Sequence, residues 1–320
     1  MDDDNAVSSL ATITEFATNL PAPIRKGISG ALSALLSGLT EIPAAWLHGI
    51  AQARNDVTAA RSLVAIELAK AAAKHAINDP VAMQAAVAIY IPTAVRKAKN
   101  KVQIAKLAVE RAAETSSDGT EAAEPDDDWM NAFIRLAEDA SSERLQDLFS
   151  RILAGEVIKP GSFSVATIRT VSELDQSIAQ DFSLTWAKSV GGAIDYGNEF
   201  NRGDWFSRWK RLAEAGLMAP SAIAQFPPDF EPIYNGYGIW SPMLSDKVHL
   251  NVHFSQTCTA RWSHIEFTRI GRQVGSILAA PDYEANMRAA SAKFIQRGVN
   301  RIELISQGRQ PETLYAATDE

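Results

Sequence analysis

The chain has 320 residues, 38 acidic against 31 basic side chains, a net charge of −7, and 46% hydrophobic with 22% charged residues. That balance is ordinary for a folded protein with a sizeable core, so it excludes a disordered chain and one that coats nucleic acid through its overall field. The single cysteine, Cys258, excludes an internal disulfide framework and fits a reducing compartment.

The opening Met1-Asp2-Asp3-Asp4 has the wrong charge for a secretory signal. The uncharged stretch from Gly27 to Thr40 falls short of the roughly 20 apolar residues that span a bilayer. A cytoplasmic location is expected. Pro21, Pro23 and Pro43 break residues 6–52 into short helices. Ile28, Leu32, Leu35, Leu36 and Leu39 then fall at helical spacing. Such a stripe packs on the rest of a protein or, as an alternative over residues 24–50, lies on a membrane surface. A surface helix usually carries a basic polar face, and only Arg25 and Lys26 lie nearby, which favours packing.

From Ala53 to Ala113 the chain is Ala-rich and free of glycine. Asp79-Pro80 has the form of an N-cap followed by proline at the first helical position. The pattern predicts a long helical hairpin, 54–77 and 80–113, with Pro92 placed to kink its second arm. Long Ala-rich helices need a partner surface, so a protein partner or self-association is expected there. On the second arm Arg96, Lys97, Lys99, Lys101, Lys106 and Arg111 face a single acid, Glu110. This run is either a solvated helix face or a phosphate-contacting stripe. It lacks the aromatics that would stack on bases.

Residues 114–128 contain seven acids and no base, and read as a linker whose last aspartates favour a helix N-terminus. The stretch 129–192 reads as a central helical unit. Trp129, Phe133, Leu136, Ala137 and Ala140 form one stripe, and Leu145, Leu148, Phe149, Ile152 and Leu153 form the next behind Ser141 or Ser142. Lys159-Pro160-Gly161 makes a turn, Ser162 or Ser164 starts a third helix, and Asp175 caps a fourth. Trp129, Phe133, Phe149, Phe163, Phe182 and Trp186 recur at core spacing and are expected to share one interior. Glu138, Asp139, Glu143 and Asp147 lie opposite the stripes and read as solvated.

Residues 193–320 read as a small α+β unit. WFSRWKRLAEAGLM forms a helix closed by Gly216. Val248, Leu250, Val252 and Phe254 alternate with His249, Asn251 and His253 as in a half-buried strand, and Arg261–Phe267 is expected to complete a hairpin over 247–267. Thr268 caps the helix RIGRQVGSIL, and a terminal helix is expected over 282–306. The arrangement resembles a winged helix in an unusual order, and offers Arg261, Arg269 and Arg272 to nucleic acid alongside the basic arm.

The chemistry-bearing patterns are sparse. His249, His253, Cys258 and His264 are the only metal-like cluster, at irregular spacing and without a CxxC pair. Gly191-Gly192 and Gly236-x-Gly238 lack the context of a phosphate loop, and no G-x-S-x-G elbow occurs. Ser162 follows a turn, where helix capping is the plainer role than nucleophilic chemistry. No catalytic residue, cofactor or small-molecule substrate is expected.

Four strings carry a resemblance: Asp126-Asp127-Asp128-Trp129, Leu145-Gln146-Asp147-Leu148-Phe149, Arg151-Ile152-Leu153-Ala154-Gly155-Glu156, and Lys159-Pro160-Gly161-Ser162-Phe163-Ser164. Together they resemble the bacterial family known as domain of unknown function 2806, firmly over 126–168 and more weakly through the Ala-rich helices, LAEAGLM and EFTRIGRQV. The uncharged 27–40 segment departs from that pattern. The two helices followed by PGSFS are more remotely similar to abortive-infection alpha proteins, which implies a part in phage defence. The family implies no catalytic residues. Together these readings describe a mainly α protein: residues 1–113 with a long N-terminal helical hairpin, linker 114–128, central bundle 129–192, and a winged-helix-like α+β unit over 193–320. The expected role is that of a non-enzymatic interaction or scaffold protein, with nucleic-acid binding and membrane association as the alternatives.

Overall fold

Pro21 and Pro23 sit where a helix start leaves backbone N–H groups without intrahelical partners, and helix α1 (Ala22–Leu35) begins between them. It belongs to the first of two units, residues 1–172 and 173–320, in a computed structural model that describes residues 20–36, 80–115, 122–225, 231–232, 237–240, 248–254 and 261–317. Helix α1 buries Ile24, Ile28, Ala31, Leu32 and Leu35. Each of the Ile and Leu side chains contributes about 1.5–3 kcal/mol when removed from water, so this face is held by packing.

Helix α2 (Pro80–Thr115) runs unbroken through Pro92 for 36 residues. Its second half buries Ala98, Ile104, Ala105, Ala108, Val109 and Ala112. Small residues on that face bring α2 close to helix α4 (Glu143–Ile158), which packs on both α1 and α2. Between them in sequence lies helix α3 (Asp127–Ala137), capped by the Asp126 carboxylate, which accepts N–H bonds from Asp128 and Trp129. Trp129 stacks on Phe133 at 5.1 Å, and Phe133 meets Phe149 edge-on at 5.4 Å. Helix α5 (Val165–Glu173) adds Ile168 and Val171. The end of the acidic stretch is packed too. Ala123 donates to the Val157 carbonyl at 3.1 Å, and Pro125 is buried.

The second unit begins with helix α6 (Gln176–Trp186), capped by Asp175. Strands β1 (Ser189–Val190) and β2 (Ala193–Asp195) follow, then a 3-10 turn at Asn198–Phe200 and helix α7 (Asp204–Glu214). Gly216, at φ 72°, ends α7 in the left-handed region that an L side chain resists. Strands β3 (Ile223–Gln225), β4 (Glu231–Pro232), β5 (Tyr237–Trp240), β6 (Val248–Phe254) and β7 (Trp262–Glu266) come next. Helix α8 (Arg269–Ser276), helix α9 (Tyr283–Ser291), strand β8 (Val299–Ser306) and strand β9 (Glu312–Ala316) complete the described elements.

The strands form two antiparallel sheets, ordered β1-β2-β7-β3 and β4-β5-β6-β8-β9. Leu250 and Val252 of β6, Val299, Ile302 and Leu304 of β8, Trp262 of β7 and Met287, Ala290 and Phe294 make one apolar interior. Phe182, Trp186 and Phe267 make a second cluster with ring centroids 5.1–6.1 Å apart. Gly271 and Gly275 let α8 approach it: a Cβ at Gly275 would lie 2.4 Å from the Trp186 indole.

The mainly-α expectation is therefore corrected, because the C-terminal unit is rich in sheet. The hairpin over 247–267 does not form. Strand β6 pairs with β5 and β8, whereas β7 pairs with β2 and β3, in the other sheet. The predicted terminal helix stops at Ser291, a 3-10 turn follows, and Gly298 at φ 93° leads into strand β8. Val-Asn-Arg-Ile-Glu-Leu-Ile-Ser alternates with period two once Ile302 and Leu304 are read together, which fits a sheet face better than a helix. The winged-helix-like description gives way to this two-sheet unit. An N-terminal helical hairpin is not evident either: α2 is the one long helix among the described residues, and 54–77 lies outside them. Of the stretch 129–192, residues up to 172 fall in the first unit and the rest in the second, which divides the six aromatics between two interiors.

Candidate functional site

The motif that carries the family resemblance is built around one buried carboxylate. Helix α4 places Glu156 next to the turn that follows it, and the carboxylate accepts N–H bonds from Gly161 at 2.7 Å and Phe163 at 2.8 Å. Gly155, one residue earlier, lies under the Phe163 ring, where a Cβ would come within 2.7 Å of it. Trp129 closes the arrangement by donating Nε1–H to the Phe163 carbonyl at 2.6 Å. Ser162 donates to the Lys159 carbonyl, and Ser164, not Ser162, caps α5 by accepting from Thr167 N. Each polar group of Gly155–Ser164 described here serves the turn itself.

The basic stripe of α2 meets the acids of the α3–α4 region. Lys97 bonds Glu138 and lies 3.6 Å from Asp139, while Arg96 lies 3.8 Å from Asp139. The bond to Glu138 raises the Lys97 amine above its usual range against the opposing effect of burial. Lys101 is buried, and burial lowers its pKa despite nearby Glu138. Arg111 bonds Glu114 and reaches Asp147, which also holds Arg151 at 2.9 Å. Lys99 is exposed and Lys106 half-buried. Three bases of the stripe, Arg96, Lys97 and Arg111, are thus paired with acids read as solvated, Glu138, Asp139 and Asp147.

In the second unit the sequence-predicted metal ligands are not brought together. His249 and His253 stand on β6, where burial lowers the His249 pKa and His253 lies 3.2 Å from Glu303. His264 stands on β7 in the other sheet, buried and stacked on Trp262 at 4.4 Å, and Cys258 lies outside the described residues. Among the described residues no group of three or more His, Cys, Asp or Glu is placed to hold a metal ion. Arg261 and Arg269 are exposed, and Arg272 donates to the Phe267 carbonyl at 2.7 Å. Of the 24–50 segment, the described part is α1, whose apolar face is buried within its own unit. No described helix is long and apolar enough to cross a membrane.

Two clusters escaped the sequence reading. On α6, Asp181 accepts from Arg208 Nε at 2.8 Å and Arg211 Nε at 2.9 Å. Burial pushes its carboxyl up, and those two guanidinium bonds more than offset this, so it titrates below the usual aspartate range. Arg208 also packs over the Trp205 ring at 4.3 Å, with Lys188 5.0 Å from the same ring. On β2, Asp195 accepts from Trp262 Nε1 at 2.9 Å and lies 3.4 Å from Lys293, opposite His264 in the register. Burial raises its pKa against the lowering effects of Lys293 and Trp262. The i, i+3 spacing of Arg208 and Arg211 was visible in the sequence, but their partner lies about 30 residues away on another helix and has no local signature.

No curated protein and no solved structure matches the chain. Nothing in these comparisons shows the similarity to abortive-infection proteins. Residues 93–199, which hold the stripe of α2 and the Glu156 turn, match the family described as "Protein of unknown function (DUF2806)".

Proposed function

We propose that the protein works by binding another protein and not by catalysis, as an interaction or scaffold component. Support comes from the contrast between the two halves of α2. From Arg96 onward it carries charges, of which Arg96, Lys97 and Arg111 pair with Glu138, Asp139 and Asp147, whereas Pro80–Val95 contains no charged residue at all. At 1.5 Å per residue that uncharged part is about 24 Å of helix. Helices of this composition gain their stability from an apolar partner surface. Thr93 and Ala94, at its inner end, are exposed.

The finer reading is a phage-defence component of a bacterial cell, supported by the similarity of the two-helix-plus-PGSFS pattern to abortive-infection alpha proteins. Plaque counts on cells expressing the chain, compared with cells expressing Val87→Glu, test it: protection lost with the variant is expected, and equal plaque counts with and without the chain count against it. The binding reading itself is overturned if purified protein turns over nucleotide, nucleic acid or lipid and one polar substitution abolishes that turnover.

A further inference from the structure

Helix α7 is lightly rooted in its unit. It fully buries only Leu212 and packs chiefly on α6 and on the 3-10 turn at Asn198–Phe200. Both its ends are glycines in the left-handed region, Gly203 at φ 83° and Gly216 at φ 72°, and a Cβ at either would meet no neighbour within 4 Å. Beyond these two joints the chain is fixed. Tyr196 N–H donates to the Ser263 carbonyl and Ala219 N–H to the Glu266 carbonyl, each at 2.8 Å and each on β7, and Leu217 and Met218 are buried. The attachment to α6 is mainly polar. Asp181 and Thr185, both buried, and Lys188 just past the helix fall on one stripe at spacings of four and three. Along it the Asp181 carboxylate accepts from Arg208 Nε and Arg211 Nε, and Lys188 lies 5.0 Å from the Trp205 ring. A bond from Trp209 Nε1 to the Ala219 carbonyl, 2.7 Å long, ties the last turns.

We propose that α7 is a hinged flap latched by Asp181, which opens as one unit about Gly203 and Gly216 and uncovers the Asp181–Thr185 stripe of α6. Segments that open without global unfolding are those with few buried apolar contacts, and α7 has to withdraw one leucine. Residues at element ends absorb the φ/ψ change of such a motion, and the uncrowded glycines at 203 and 216 are suited to it. The latch is the kind of contact that water replaces well. Arg211 keeps 46% of its side chain exposed when closed, and Asp181, 11% exposed, regains its hydration once the guanidinium groups leave. The flap lies in the second unit and stands apart from the protein-binding reading, which concerns α2 in the first.

The test is native-state amide exchange of the full chain, resolved by residue. The amides of Ser207–Glu214 are expected to share one opening equilibrium and to exchange faster than those of Leu250 and Val252 on β6. Hydrogen bonds to a charged group are strong, so Asp181→Asn is expected to speed exchange across Ser207–Glu214 by about 10–100-fold. Tyr196 and Ala219, on the fixed sides of the joints, and the β6 amides are expected to keep their rates. Should Asp181→Asn destabilise the unit enough to speed β6 as well, Arg211→Gln, which leaves the Arg208 bond in place, replaces it, with the same pattern at smaller size. Amides of α7 that exchange no faster than those of β6 in the wild type overturn the proposal. So does a variant that leaves α7 unchanged, or that speeds Tyr196 and Ala219 as much as α7.

Discussion

The backbone N–H of Phe163 is held by the carboxylate of Glu156 at 2.8 Å, seven residues back along the chain. That bond and its neighbour to Gly161 tie Gly155-Glu156 and Pro160-Gly161-Ser162-Phe163-Ser164 into one local unit. The first pair supplies room and an acceptor, and the second supplies the turn that uses both. Replacing Glu156 by Ala leaves those N–H groups without their acceptor, which costs about 1–3 kcal/mol for a buried donor. Urea unfolding followed through Trp129 should show this loss, with faster amide exchange at Phe163. Unchanged exchange there would mean that the carboxylate does not hold the turn.

Gly155→Ala tests the same turn from its other side. The new methyl would sit 2.7 Å from a buried ring, so Phe163 must shift, and overpacking of this kind costs about 1–3 kcal/mol. Gly275→Ala makes the parallel case against Trp186 in the second unit. Both should lower the melting temperature, whereas Gly161→Ala, which meets no neighbour, should suffer only from its φ of 82°.

The two partly buried aspartates of the second unit predict opposite pH behaviour. Asp181 is depressed below its unfolded value, so its contribution is present above about pH 3.9 and is lost as pH falls through the folded pKa. Asp181→Asn should therefore melt below wild type at neutral pH, with the gap closing in acid. Asp195 is raised, so charging it costs stability as pH rises through its folded pKa. Asp195→Asn keeps an acceptor for Trp262 and should melt no lower than wild type at neutral pH, with any advantage vanishing below about pH 4. Melting curves of both variants from acid to neutral pH check the signs.

Lys97 lies on α2 and Glu138 just past the end of α3, with about a third or less of each side chain exposed. A double-mutant cycle with Lys97→Ala and Glu138→Ala should give a coupling of about 0.5–1 kcal/mol, falling with added salt. A coupling near zero would show that the acids of the α3–α4 region do not engage the α2 stripe in solution.

Local signals in the sequence were strong wherever the physics is local. Asp126, Ser142, Asp175, Thr268 and Asp282 each accept the N–H bond of a helix start, and Gly216 ends α7 as its position implies. The alternation at Val248–Phe254 correctly marks a strand with Leu250 and Val252 inward. What pairs with that strand was not legible. Nothing in β6 distinguishes β7, its neighbour in sequence, from β8, some 45 residues on, because pairing is decided by the shared core around Phe294 and Met287. The same limit hid Asp181 beneath α7 and made the bases of α2 and the acids near Glu138 look like separate solvated faces.

The proposed protein-binding role places the uncharged half of α2, Pro80–Val95, against a partner. Its direct test is quantitative recovery of co-purifying proteins with tagged full-length chain, Val87→Glu and Lys99→Glu, all with matched melting temperatures. A partner enriched by the wild type and by Lys99→Glu but lost with Val87→Glu is the predicted result; the same set of proteins, or none, recovered with all three chains would contradict it.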